Sequence, residues 1–99
     1  MSNEWSQWLD FEKANVKAVP ESPGVCVMHS RMKILYIGAN KNIRQELLDR
    51  LSDFCTGKAQ RFRYIVTPEF KTIMKQQLKE YVDKHGKLPP CMDQNPVDF

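Results

Sequence analysis

Lysine and arginine side chains in the middle of the chain are the first groups that could do chemistry, because they can neutralise phosphates. Residues 23–87 contain 13 Lys and Arg against six Asp and Glu, a net charge of +7, whereas residues 1–22 and 88–99 each carry −2. A basic centre between acidic ends fits a surface that meets nucleic acid, although a solvated face gives the same composition. The residues that we expect to contact nucleic acid are Lys41, Arg44, Arg50, Lys58, Arg61, Arg63, Lys71, Lys75 and Lys79.

Two groups of these cations follow the periodicity of regular secondary structure. Lys71, Lys75 and Lys79 recur every four residues, which places them on one ridge of a helix. Arg61 and Arg63 are two residues apart, which places them on one face of a strand. A solvated surface explains the same pattern, and it fits the lysines slightly better than the arginines.

Side chains suited to catalysis or metal binding are sparse. Tyr36 could hydrogen-bond a phosphate or a water molecule, but a tyrosine in a strand is also ordinary core. The cysteines Cys26, Cys55 and Cys91 are odd in number and too far apart for a zinc knuckle. We expect free thiols in a reducing compartment, no metal site and no cofactor.

Hydrophobic periodicity and turn residues predict a single α+β domain over residues 1–99, with a small three-stranded antiparallel sheet flanked by helices. An N-terminal helix over 4–15 would carry Trp5 and Trp8 on an apolar stripe, and the proline-containing tail 87–99 should be irregular. Between them lies a predicted core over 20–86. Its elements are strands over 25–28 and 34–37, a helix from 40 or 42 to about 54, a strand over 62–66 and a helix over about 69–85.

The sequence pattern predicts neither a membrane helix nor a signal peptide. No apolar run approaches the roughly 18–20 residues that a membrane helix requires, and the N-terminus lacks the basic start and apolar stretch of a signal peptide. We therefore expect a cytoplasmic protein with no membrane partner.

Short motifs in the predicted core carry a resemblance to a known family. Pro23-Gly24-Val25-Cys26 is followed ten positions later by Tyr36-Ile37-Gly38, and then by Asn42-Ile43-Arg44 in a predicted helix. This arrangement resembles the signature of the GIY-YIG nuclease superfamily over residues 20–86. The resemblance implies a hairpin that carries both motifs, followed by a helix, a third strand and another helix. It also implies a site with a tyrosine in each motif, an arginine on the first helix and a metal-binding glutamate on the later helix.

Most of the catalytic positions implied by this resemblance hold a different residue type. Tyr36 matches the tyrosine of the second motif, whereas the tyrosine of the first motif falls on Cys26. The helix arginine falls on Glu46, whose carboxylate would repel a phosphate instead of stabilising it. The metal-binding glutamate falls near Leu78, and neither neighbouring residue is a carboxylate. The pattern therefore predicts a degenerate active site.

The hypothesis that we rank first is a nucleic-acid-binding domain, for DNA repair or processing, whose nuclease activity is lost or impaired. A second is an active endonuclease with a rearranged site that uses Tyr36, Arg44 or Arg50 and an unexpected carboxylate such as Glu46. That site would require Mg²⁺ or Mn²⁺.

A third hypothesis is a protein-interaction module, with a protein as the partner in place of DNA. Trp5, Trp8 and the proline-rich tail would form its interface. Exposed tryptophan rings would favour it.

Overall fold

Four antiparallel strands form one sheet in the computed structural model, which describes residues 4–92. The strands are β1 (Leu9–Asp10), β2 (Gly24–Ser30), β3 (Lys33–Asn40) and β4 (Arg61–Val66), in the spatial order β1-β4-β2-β3. The predicted α+β class and antiparallel pairing are confirmed. The predicted number of three strands is wrong, because the short β1 adds to the outer edge of β4.

A tight hairpin joins β2 to β3. Arg31 and Met32 form its turn with φ angles of 52° and 67°, the left-handed conformation that two-residue hairpin turns require. Cys26 pairs with Gly38 and Met28 with Tyr36, after which the register shifts so that His29 pairs with Ile34. The hairpin therefore carries the two sequence motifs on neighbouring strands, as the resemblance implies.

The helices are α1 (Lys13–Lys17), α2 (Ile43–Leu51) and α3 (Phe70–His85), with a 3₁₀ turn over Thr56–Lys58. Asn42 caps α2, since its side chain accepts a hydrogen bond from the Gln45 backbone N–H at 3.1 Å. Gly86 ends α3 in the left-handed conformation with φ of 75°.

The sheet has a hydrophobic core on each side, because side chains alternate between the two faces of a strand. One side, which we call the α2 face, packs against α1 and α2; the other, the α3 face, packs against α3. Buried sheet residues of the α2 face include Cys26, Met28 and Phe62, and those of the α3 face include Val25, Val27, Ile37 and Ile65. The two long helices therefore lie on opposite sides of the sheet.

The predicted helix over 4–15 is wrong. The Ser6 backbone N–H donates to the Tyr64 carbonyl at 2.8 Å, and Leu9 pairs with Phe62, so this segment bonds to the edge of β4 instead of to itself. Trp5 and Trp8 are half-buried, at helical spacing in sequence but in an extended segment. Only Lys13–Lys17 is helical.

The prediction of three free thiols is also wrong. Cys55 and Cys91 form a disulfide with a Cα–Cα distance of 5.5 Å, and only Cys26 is free and buried. The Cys91 backbone N–H donates to the Leu35 carbonyl at 2.9 Å, which holds the C-terminal segment against β3. Residues 87–92 contain no helix or strand, as predicted for the tail, and 93–99 lie outside the described residues. Within 4–92, no helix is long and apolar enough to cross a membrane.

Candidate functional site

A hydrogen bond between Tyr36 and Glu46 forms the centre of the candidate site. Tyr36 lies on β3 and Glu46 on α2, and packing of α2 on the sheet brings the two side chains together. The Tyr36 hydroxyl donates to Glu46 Oε2 at 2.5 Å, and Glu46 is only 8% exposed. The carboxylate thus takes the hydroxyl that, under the resemblance, would face a phosphate or a water molecule.

Gly38 makes this arrangement possible. It lies two residues after Tyr36, so both point to the α2 face, and the tyrosine ring extends across the glycine. A β-carbon at residue 38 would lie 2.8 Å from the Tyr36 hydroxyl and 2.9 Å from Glu46 Oε2, closer than atoms pack without displacement. The glycine of the second motif therefore serves packing here, independently of any catalytic chemistry.

Arg50 is a cation in contact with Tyr36. Its guanidinium carbon lies 5.3 Å from the centroid of the Tyr36 ring, within the range of a cation–π contact. Carboxylates of Glu46 and Asp53 lie 3.8 Å from its Nε and Nη1 atoms, and the buried Nε has no hydrogen-bond partner among residues 4–92. Arg50 therefore places a positive charge beside Tyr36, near where the resemblance implies an arginine. Two carboxylates lie next to that charge.

Burial favours the neutral forms of Tyr36 and Cys26. The pKa of Tyr36 is raised well above its ordinary value by burial first and then by the hydrogen bond to Glu46. The pKa of the Cys26 thiol is likewise raised, by burial first and then by the charge of Glu46. Neither side chain is an anionic nucleophile at neutral pH.

The residues present do not fit the divalent metal of the nuclease site. Leu78 is fully buried in the core of the α3 face, on the opposite side of the sheet from Tyr36. Within the described part of the chain, no three His, Cys, Asp or Glu side chains converge as metal ligands would. Glu46 is committed to Tyr36 and lies beside Arg50.

Several predicted phosphate-binding cations have partners within the protein. Arg44 Nη1 donates to Glu21 Oε1 at 2.6 Å and Arg44 Nε donates to the Val19 carbonyl at 2.6 Å. Arg61 lies 3.6 Å from Asp10, with both side chains exposed. These two arginines are therefore partly neutralised by neighbouring groups.

The remaining predicted cations are spread over separate surfaces. Lys41 is exposed in the turn before α2, and the ammonium of Lys58 lies 4.5 Å from the centroid of the Phe54 ring. Arg63 is half-buried on the α3 face. The exposed residues Lys71, Lys75 and Lys79 lie on α3, across the sheet from Tyr36 and Arg50. The structure therefore does not join the nine predicted cations into one surface.

Comparison with known families places the chain in one of them. Residues 1–84 match the model of a family described as Domain of unknown function (DUF7508). The chain belongs to the DUF7508 family. No curated protein sequence matches this DUF7508 chain.

Solved structures similar to this DUF7508 protein include the GIY-YIG N-terminal endonuclease domain of UvrC from Thermotoga maritima. Two tyrosine-to-phenylalanine point mutants of that domain, bound to the catalytic divalent cation, each match with a TM-score of 0.60 and 20% identity, over 84% of this chain and 100% of theirs. The magnesium-bound domain matches with a TM-score of 0.59 and 21% identity, over 82% and 99%. The DUF7508 chain thus has a GIY-YIG-like fold, as its motifs predict. At this identity the similarity establishes the fold alone.

One side-chain cluster of the DUF7508 chain was missed by sequence reasoning. The Arg63 guanidinium lies 4.8 Å from the ring centroids of both Trp5 and Trp8. The rings of Trp8 and His29 are in edge-to-face contact, with their centroids 4.1 Å apart. Arg63 lies opposite Val27 in the sheet. No sequence signal locates this cluster, because it depends on the pairing of the N-terminal segment with β4. Both tryptophan rings are half-buried, packed against Arg63 and the core of the α3 face.

Proposed function

We propose that this DUF7508 protein is a GIY-YIG-like domain that binds DNA, in repair or processing, and has lost phosphodiester hydrolysis. The hydrogen bond from the Tyr36 hydroxyl to the buried Glu46 carboxylate is the observation that carries the proposal. A phosphate approaching Tyr36 would meet a negative charge where charge stabilisation requires a cation. Among residues 4–92, no group of carboxylates is placed to hold Mg²⁺ or Mn²⁺, which supports the same conclusion.

Support for DNA as the partner comes from the fold and from charge. The UvrC domain with the similar fold is an endonuclease, and residues 23–87 of this chain carry the net charge of +7. A cytoplasmic location belongs to the same proposal. It must accommodate the Cys55–Cys91 disulfide, because disulfides are rare in reducing compartments.

Binding and cleavage assays on the same purified protein test this proposal. Fluorescence anisotropy with nicked, branched and single-stranded DNA should show binding that weakens steeply as salt increases. Incubation of these substrates with Mg²⁺ or Mn²⁺ should leave them intact on denaturing gels. Glu46→Gln, which keeps an acceptor for Tyr36 but removes the charge, should leave cleavage undetectable because no metal-binding carboxylate is gained.

Two outcomes would contradict the proposal. Metal-dependent cleavage by the wild type that disappears in Tyr36→Phe would establish the active endonuclease with a rearranged site. Failure to bind any of the substrates at low salt would remove DNA as the partner.

A further inference from the structure

The cations on the α2 side of the sheet differ from those at the hairpin turn in having acidic neighbours. On the α2 side, Arg44 is paired with Glu21, and Arg50 lies between two carboxylates. At the hairpin turn, Arg31 and Lys33 are exposed and have no ion-pair partner within residues 4–92. The positive charge at the turn is therefore less neutralised by neighbouring carboxylates than the charge beside Tyr36, and it attracts a polyanion more strongly.

Two neighbouring cavities flank this turn. One, of about 600 Å³, is lined on its apolar side by Trp8 and Ile34 and on its polar side by Arg31 and Arg61. The other, of about 420 Å³, shares Arg31 and Ile34 with the first and adds basic residues that include Lys33. No Asp or Glu lines either cavity within the described chain. Both volumes lie in the roughly 300–1,000 Å³ range of ligand pockets.

Trp8 is held in a fixed orientation in the wall of the larger cavity. The Arg63 guanidinium carbon lies 4.8 Å from the Trp8 ring centroid. The His29 ring centroid lies 4.1 Å from the Trp8 ring centroid, in an edge-to-face contact. These contacts reduce the entropy that the ring would lose when a ligand stacks on it. An aromatic ring beside basic side chains is the combination with which proteins bind unpaired nucleotides.

We propose that single-stranded DNA crosses the hairpin turn, with one unpaired base in the cavity against Trp8 and Ile34, and flanking phosphates on Arg31 and Lys33. This inference rests on the proposed function and gives it a location on the opposite face of the sheet from Tyr36. A base within a duplex is stacked and paired, and cannot enter the cavity without being extruded. Single-stranded DNA is therefore bound more tightly than duplex of the same length.

A charge-matched pair of variants tests the location. Arg31→Asn/Lys33→Ser removes two cations at the turn, and asparagine tolerates the left-handed backbone at residue 31. The control, Lys13→Ser/Lys17→Ser, removes two exposed cations from α1, on the other side of the sheet. By anisotropy with labelled oligothymidylate, the turn variant should lose at least about tenfold in affinity and about 1.4 from the salt slope, as for two lost phosphate contacts. The control should lose less than about threefold.

Stacking at Trp8 has its own measurement. The chain contains two tryptophans, so Trp5→Phe leaves Trp8 as the only indole. Addition of oligothymidylate should quench its fluorescence with the same midpoint as the anisotropy titration. The titration should saturate at lower concentration with the single strand than with a duplex of equal length.

The outcomes separate the location from the proposed function. Equal losses in the turn variant and the control, or no change in Trp8 fluorescence despite binding, would overturn the location and leave DNA binding in place. Equal affinity for duplex and single strand would overturn the inference that an unpaired base enters the cavity. No binding of any DNA by the wild type would overturn both this inference and the proposed function.

Discussion

The Tyr36–Glu46 hydrogen bond shows how a single side chain can decide what a site is able to do. Packing of α2 on the sheet brings an acid, Glu46, against Tyr36 of β3. A buried carboxylate requires a donor, and the tyrosine hydroxyl supplies one. The pair therefore contributes to stability in a place where the resemblance implies phosphate chemistry.

Removal of the Tyr36 hydroxyl should destabilise the protein. Tyr36→Phe keeps the ring, and thus the contact with Arg50, but leaves the buried Glu46 without its donor, at a cost of about 1–3 kcal/mol. Urea denaturation followed by circular dichroism measures the loss. Tyr64→Phe is the matched control, since the half-buried Tyr64 hydroxyl has no hydrogen bond within the described residues, and its effect should stay below about 0.5 kcal/mol. Equal effects of the two variants would show that the Glu46 contact is not stabilising.

His29 should make the free energy of unfolding depend on pH. Its pKa is lowered from the ordinary value of 6.5 by burial first and then by repulsion from Arg61 and Arg63. As the pH falls below 6.5, His29 becomes protonated in the unfolded chain before it does in the folded protein. The free energy of unfolding should therefore rise as the pH increases toward 6.5. Denaturation between about pH 5.5 and 7.5 should show this rise in the wild type and in His85→Gln, and a smaller rise in His29→Gln. The same slope in all three proteins would exclude His29 as its source.

At the scale of elements, the disulfide fastens the C-terminal segment to the connection that follows α2. Cys55 and Cys91 are 36 residues apart, and closing a loop of this length should stabilise the folded state by about 2–4 kcal/mol. Urea denaturation of the wild type with and without a reductant measures the difference. The same comparison on Cys55→Ser/Cys91→Ser is the control, and the reductant should have no effect there. A wild-type stability that does not respond to reduction would contradict the prediction.

Elements that are specified locally were predicted well from the sequence. Strands β2, β3 and β4 and helices α2 and α3 all lie where apolar periodicity, Asn42 and Gly86 indicate, because these signals act within a few residues. The motif spacing also predicts the Tyr36–Gly38 strand and its partner correctly.

Features that depend on distant residues were not predicted. Trp5 and Trp8 have helical spacing, but the backbone of their segment bonds to β4, more than 50 residues away, and tertiary pairing overrides the local pattern. The Cys55–Cys91 bond is equally remote in sequence. The partition of the cations between two sides of the sheet required the fold, since charge alone does not say which surfaces face the same way.

At the scale of the whole molecule, a single sheet connects two hydrophobic cores. Leu47 of α2 and Leu78 of α3 are both fully buried, on opposite sides of the same strands. Neither helix can leave without exposing buried strand residues, and β2 contributes side chains to both cores. The two sides should therefore lose their structure together, although only the α2 side holds the Tyr36 site.

This coupling predicts one cooperative unfolding transition, even in variants that weaken one side only. Leu47→Ala and Leu78→Ala should each lower the free energy of unfolding by about 2–5 kcal/mol, because each leaves a cavity in a fully buried site. Circular dichroism follows the whole backbone, whereas tryptophan fluorescence follows Trp5 and Trp8 on the α3 face. In both variants the two signals should give the same urea midpoint. A Leu47→Ala protein in which circular dichroism changes before fluorescence would mean that the α2 side unfolds separately, and that the shared sheet does not couple the two cores.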